Sequence, residues 1–235
     1  MYNINDTIAE KWDKNVLKRA EDLETESDFS YINYIKPYVL ECILKYSSSS
    51  SKILDVGCGC GYLTNCIHKH NRVNILGIDI SKESIKYASN KYKNINFLNG
   101  NICDISTSNK YDIALAIMLL NNMPSIDEFF SILYKVLCDK GKVIIVIPHP
   151  VFWATKHINH INFYYFNENE NYEIPFKTKG RKDYDSSILY FHRSIQEYIR
   201  SILNNGFNII EFRELPESNE VFANPDIIGI VIEKV

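Results

Sequence analysis

From Lys52 onward, short unbroken apolar runs alternate with amphipathic stretches. The runs are 53–56 (ILDV), 75–80 (ILGIDI), 95–99 (INFLN), 111–118 (YDIALAIM) and 142–148 (KVIIVIP). Between them, 62–70, 82–92 and 125–138 place apolar residues at helical spacing. Strands that are apolar without alternation, each followed by a helix, predict a parallel sheet covered on both faces. Residues 7–46 are helical in period: Ile8, Trp12 and Val16 form one stripe, and Ile35, Val39, Ile43 and Tyr46 another. At the far end, 192–205 predicts a helix stopped by Gly206, followed by the strands 207–215 and 227–234. The expected architecture is a doubly wound α/β domain with a seven-stranded, mostly parallel sheet, spanning 1–235. It divides into N-terminal helices (1–50), a core (51–148), an insertion (149–191) and a last helix with two strands (192–235).

The insertion breaks the rhythm. Eleven of its forty residues from 152 to 191 are aromatic, about twice the 13% of the whole chain, and a long irregular segment of this kind predicts packing over a ligand.

Composition narrows the function classes. The chain has 235 residues, with 46% hydrophobic and 23% charged, which is ordinary globular composition. Lys+Arg of 26 against Asp+Glu of 29 gives net −3 and no general positive field for nucleic acid or an anionic membrane. No dense Lys/Arg cluster is expected. The longest apolar run, Ile113 to Leu120, is strand-sized, and the N-terminal residues carry charges where a signal peptide needs an apolar core. Cys42, Cys58, Cys60, Cys66, Cys103 and Cys138 read as reduced thiols of a cytoplasmic protein. No second thiol pair stands at zinc spacing from Cys58 and Cys60, so no metal site is expected there.

The sharpest motif is Ile53-Leu-Asp55-Val-Gly57-Cys58-Gly59-Cys-Gly61-Tyr62, a buried strand entering three alternate glycines and then a helix. Such a turn lets a ligand approach main-chain N–H groups. A dinucleotide fingerprint would place its third glycine where Tyr62 stands, which disfavours a nicotinamide dehydrogenase. The following run ends in Gly77-Ile-Asp79, where a carboxylate is placed to accept hydrogen bonds from ribose hydroxyls.

These residues resemble the class I S-adenosylmethionine-dependent methyltransferases, whose first motifs read "LDVGCGxG" and "GxDxS". The resemblance extends through most of 52–148, to Phe97-Leu-Asn-Gly-Asn101-Ile102, Tyr111 to Pro124, and Leu137-Cys-Asp-Lys-Gly141. It implies a Rossmann-like fold and S-adenosylmethionine as cofactor, leaving S-adenosylhomocysteine as product. It also implies that Asp55, Gly57, Cys58, Gly59, Gly61, Asp79, Ile80, Asn101, Ile102, Ala116 and Ile117 hold that cofactor, with Asn101 where Asp is commoner.

Three negatives bear on the acceptor. Asn121-Asn122-Met123-Pro124 does not match the [D/N/S]-P-P-[Y/F/W] motif of planar-amine methylases. Ile117 and Met118 stand where metal-assisted enzymes carry an aspartate. No basic cluster suggests RNA. A small, apolar or aromatic metabolite accepting the methyl on O, N or C is therefore expected, with a protein or RNA methyltransferase, or a non-catalytic cofactor-binding subunit, as alternatives.

The segments Pro148-His149-Pro150-Val-Phe152, Tyr190-Phe-His192-Arg193 and Gly206-Phe207 to Pro216 resemble a small-molecule methyltransferase subgroup with a cap after the fifth strand. Two readings stand for His149: a general base at the ligand edge of the sheet, or a brace for its turn. His192 is a second candidate for catalysis, and Arg193 beside it either orients an acidic acceptor or sits on the surface. Phe152, Trp153 and Tyr184 are candidate substrate contacts. Tyr2 and Trp12 form a lid or belong to the core, and His157 with His160 are three apart in the cap without a third ligand at evident spacing.

Overall fold

The computed structural model describes residues 3–71, 73–158, 164–166, 170–178, 180–216 and 224–235. It opens with α1 (Ile4–Glu24), a π-turn at Tyr31–Ile35 and α2 (Lys36–Tyr46). Then β1 (Lys52–Val56), α3 (Tyr62–Asn71), β2 (Asn74–Asp79), α4 (Lys82–Lys91), β3 (Asn96–Asn99), β4 (Tyr111–Ile117), α5 (Ile126–Val136) and β5 (Leu137–Pro148) alternate as the periodicity predicts. After α6 (Phe152–His157), β6 (Asn171–Pro175) and β7 (Ser187–Phe191), the chain closes with α7 (Ile195–Asn204), β8 (Phe207–Leu215) and β9 (Ile227–Lys234).

Seven strands form one sheet in the order β3-β2-β1-β4-β5-β9-β8, parallel except for β9, which runs antiparallel to both of its neighbours. Side chains alternate between its faces, so each run feeds two cores. Ile53, Ile75, Ile113, Leu115 and Ile144 face α1, α2 and α3 through Val16, Ile43 and Ile67. Leu54, Ala114, Ala116, Val143 and Ile145 face α5 and α7 through Phe129, Phe130, Leu133 and Ile202. Burial on both sides is why the strand sequences are continuously apolar.

Parallel register brings the strand ends to one edge: Val56 pairs with Ile78 and Ala116, and Asp79 with Asn99. The strand order reverses between β1 and β4, and ligands of open α/β sheets bind in the crevice outside the carboxyl ends at such a switch point.

The insertion is more regular than expected. It contains α6 and a two-stranded antiparallel sheet, β6 with β7, from Asn171 opposite Phe191 to Pro175 opposite Ser187. The last helix starts later than the periodicity suggests, because Ser194 caps it by accepting the Glu197 N–H. His192 and Arg193 therefore precede the helix, and both are buried instead of forming a surface pair.

Candidate active site

The glycine turn is tied to β2 before any ligand is considered. The N–H groups of Gly57 and Cys58 donate to the Ile78 carbonyl at 2.8 and 3.1 Å. The Gly59 N–H donates to Asp79 Oδ2 and the Ser81 N–H to Asp79 Oδ1, each at 2.8 Å. Two amides thus fix the Asp79 carboxylate, each oxygen keeping acceptor capacity for further donors. Burial pushes its pKa up, against the pull of those amides. Asn99 braces the same corner by donating from Nδ2 to the carbonyls of Asp79 and Ile80 at 3.0 and 3.1 Å.

Asn101 ends the β3 connection by capping a short 3₁₀ turn, Ile102–Asp104, while its own N–H donates to Asp104 Oδ2 at 2.7 Å. Beyond β4, Met118 adopts φ +56°, an uncommon backbone conformation for a side chain of its size. The loop that follows is clamped from behind by Arg193. Its Nη1 donates to the Leu120 carbonyl at 3.0 Å and its Nη2 to those of Met123 and Pro124 at 2.6 and 2.9 Å.

One cavity of about 620 Å³ runs along this edge, inside the ~300–1,000 Å³ range of small-molecule sites. Gly57, Cys58, Gly59, Asp79, Ile80, Asn101, Ile102 and Ile117 line it. Three residues of the expected cofactor set do not. Asp55 is turned away, accepting from Thr64 Oγ1 at 2.6 Å, and burial raises its pKa to about 6. Gly61, at φ +76°, is needed for close packing: a Cβ there would stand 2.8 Å from Phe97 Cζ and 3.0 Å from Ala88 Cβ. Ala116 is enclosed in the α5 and α7 face of the sheet.

The roof comes from two distant segments. Asn5, Ile8, Trp12, Val16, Arg19 and Leu23 line the cavity at intervals of three and four, so one face of α1 forms a wall. The opposite wall includes Trp153, Ile174, Phe176 and Ile188. Trp12 packs edge-on against Phe176 with centroids 5.0 Å apart, serving as core and cover together. Arg19 donates to Asp28 Oδ2 at 2.6 Å and lies 5.0 Å from the Tyr31 ring centroid. Polar ties lock the two segments. Asp22, with its side chain 1% exposed, accepts from Thr178 Oγ1, Arg181 Nε and Tyr184 Oη at 2.8, 2.7 and 2.5 Å. Asn15 donates to the Ser186 carbonyl and accepts the Ser186 N–H.

Several sequence candidates are corrected by this geometry. His149 is buried and absent from the cavity wall: its Nδ1 accepts from the Val151 and Phe152 N–H groups at 3.1 and 3.4 Å. The proton therefore sits on Nε2, which donates to Glu214 Oε1 at 3.1 Å, and burial lowers the imidazole pKa. With both ring nitrogens engaged, His149 braces its turn. His192 is buried with Nε2 at 2.9 Å from the Tyr165 carbonyl, and Arg193 is the loop clamp. Tyr184 is bound to Asp22, and Phe152 lies against His149 with ring centroids 4.7 Å apart, so neither faces the cavity. Trp153 does line it, stacked on His157 at 4.4 Å, and His157 is itself part of the wall. His160 and Tyr2 lie outside the described residues, and no group of three potential metal ligands occurs among the described ones.

The sequence reading missed the cavity-facing role of most of the α1 wall, Arg19 included, and of Asp28 beyond the helix. Its signal was the spacing of 5, 8, 12, 16, 19 and 23, which crosses polar and apolar residues alike and so escaped a hydrophobic-stripe reading. It also passed over a local basic run, since four of the six residues 177–182 are Lys or Arg.

A family model described as a methyltransferase domain matches residues 47–204. The ubiquinone biosynthesis O-methyltransferase of Rickettsia bellii is 26% identical over 147 residues, covering 56% of this chain and 61% of the relative. The protein of the same name from Vibrio vulnificus is 27% identical over 131 residues, covering 50% and 55%. The match thus spans less than two thirds of these curated relatives' length. Among solved structures, an S-adenosylmethionine-dependent methyltransferase from Clostridium acetobutylicum gives a TM-score of 0.67 at 16% identity, covering 93% of this chain and 97% of that one. Magnesium protoporphyrin IX methyltransferase from Synechocystis, solved with bound S-adenosylmethionine, gives 0.67 at 12% identity, covering 100% and 99%. These likenesses establish the shared fold. No helix among the described residues is long and apolar enough to cross a membrane.

Proposed function

This chain belongs to the methyltransferase-domain family, and we propose that its cavity brings S-adenosylmethionine together with a small, apolar or aromatic acceptor and transfers the methyl group to an O, N or C nucleophile. The observation that carries the reading is continuity: one cavity joins the Gly57, Asp79 and Asn101 wall to an aromatic wall of Trp12, Trp153 and Phe176.

The residues present fit the cofactor. Asp79, oriented by two amides, is poised to accept from both ribose hydroxyls, and the glycine turn lets a ligand approach the backbone. Asn101 offers an amide to an adenine edge, with Ile80 and Ile102 to pack on the ring. When bound, S-adenosylmethionine supplies a methyl made electrophilic by a sulfonium, so no protein nucleophile is required. The chain's work is orientation and exclusion of water. The roof of α1 and β6–β7 excludes water, and Arg193 holds the 120–124 loop rigid at the end of β4. Where the acceptor loses a proton, His157 is the imidazole on the wall and takes the role that His149 cannot.

Calorimetry tests the cofactor half: S-adenosylmethionine and S-adenosylhomocysteine should bind, and NAD should not. A preference for NAD overturns it. Label transfer from methyl-labelled cofactor to a panel of phenols, anilines and activated carbon acids, read by mass spectrometry, tests the acceptor half. Label found only in protein or RNA overturns that half.

A further inference from the structure

The charges lining the cavity are unevenly matched. Arg19 is neutralised by Asp28 at 2.6 Å, and Asp226 is paired with Lys156. Asp79 is held by its two amides beside the glycine turn, and His157 stacks on Trp153. Arg181, behind the wall in the same loop, is engaged with Asp22 and Glu21 at 2.7 and 2.5 Å. Lys177 and Lys182 differ from all of these. Both line the cavity, both are exposed and so mark its rim, and neither has an ion pair or hydrogen bond among the described residues. Two unmatched cations thus stand at the rim of a cavity whose wall includes Phe176, in a chain whose formal net charge is −3.

Building on the reading of this cavity as a small-acceptor site, we propose that the methyl acceptor carries a carboxylate, held at the rim by Lys177 and Lys182 while its apolar or aromatic body lies between Trp12, Trp153 and Phe176. Ammonium groups on long stems suit a carboxylate at a wet rim, where a point charge with three rotatable donors adapts to the ligand. The cofactor strengthens the preference. S-adenosylmethionine carries a sulfonium and an ammonium against one carboxylate, a net positive charge that favours an anionic neighbour in a site of low dielectric. In the transfer, the nucleophile's lone pair forms the new bond to carbon, the C–S pair returns to sulfur, and a departing O–H or N–H proton goes to solvent or to His157. The sulfonium charge is then gone, so an acceptor still bearing its carboxylate is held less tightly after reaction than before.

The test compares two ligands of the same shape, 4-hydroxyphenylacetate and 4-hydroxyphenethyl alcohol, by calorimetry on protein loaded with S-adenosylhomocysteine. The acid should bind about tenfold more tightly or better in 50 mM NaCl, with the gap narrowing at 500 mM as screening rises. In the doubly charge-reversed variant Lys177→Glu/Lys182→Glu the preference should vanish while the alcohol binds as before. Both positions are exposed, so the variant keeps its fold. Equal affinities in the native protein, or a preference that survives charge reversal, would overturn the proposal. If S-adenosylhomocysteine binds and neither phenol does, the small aromatic acceptor itself is refuted, and the carboxylate with it.

Discussion

Asp79 is where a single side chain decides most, because two backbone amides already aim it and the cofactor would only add donors. Asp79→Ala should weaken S-adenosylmethionine by about 1.5–3 kcal/mol, roughly 10- to 150-fold, through loss of a charged acceptor. Calorimetry reads this directly, and an unchanged affinity would remove Asp79 from the cofactor site. The two histidines should separate stability from chemistry. His149→Ala should lower stability by about 1–3 kcal/mol by stranding the Val151 and Phe152 N–H groups, and leave kcat nearly intact. His157→Ala should do the reverse, lowering kcat by about 10²-fold or more for an acceptor that must lose a proton and flattening its acid limb. Equal kcat losses in both would contradict the assignment. Asp55 predicts a pH signature. Its folded pKa of about 6 lies above the ordinary carboxylate value of 3.8 expected in the unfolded chain, so the folded state holds the proton more tightly. The stability this contributes is full below the unfolded pKa and is lost as pH rises through about 6. Asp55→Asn keeps an acceptor for Thr64 Oγ1 and should gain about 1–3 kcal/mol at pH 7.5 relative to pH 4. Urea melts of the two proteins that run parallel across that range would refute it. At this scale the glycine turn, Asp79, Asn101 and Trp153 were readable, since their positions follow from strand ends and local motif. His192 and Arg193 were not, because their partners lie 27 and about 70 positions away in the chain; for His149 the sequence left base and brace both open, and the Val151 and Phe152 N–H groups with distant Glu214 favour the brace.

Among the elements, α1 carries the most testable consequence. It covers the cavity with one face and is tied to the β6–β7 segment largely through polar groups: Asp22, Asn15, and Lys11 with Glu173 at 2.6 Å. If ligands enter at the α1 end, those ties must loosen, and polar ties weaken with salt where they are exposed. Asp22→Ala removes three hydrogen bonds at once and should loosen the roof by about 1.5–3 kcal/mol. Stopped-flow release of S-adenosylhomocysteine should accelerate about tenfold, with a smaller acceleration in native protein moved to high salt. Release that ignores both changes would mean ligands enter elsewhere. The strands of the large sheet were legible because burial on both faces leaves apolar runs with no alternative reading. β6 and β7 were not. Each is five residues long, β6 alternates exposed and buried positions, and the segment takes its place from contacts with α1 over 150 residues away.

For the whole molecule, the arrangement divides labour between a rigid sheet edge and a roof assembled from the two parts of the chain that flank the core in sequence. The edge follows from fold class, whereas the roof is built from side chains outside the glycine-turn motifs: its carboxylates, aromatics and rim lysines are where acceptor preference would be written. One detail of the roof makes the protein its own instrument. The chain contains two tryptophans, and both Trp12 and Trp153 stand on the cavity wall, one in each roof segment. Excited at the indole band, the folded protein has no fluorophore of that kind anywhere else. Its emission should therefore respond to ligand with no background from the remaining surface, and replacing either indole by Phe separates the half of the signal that follows α1 from the half that follows α6. Unlabelled protein at submicromolar concentration could then be screened against acceptor libraries by light alone, with the colour and intensity of the emission reporting which wall a compound touches.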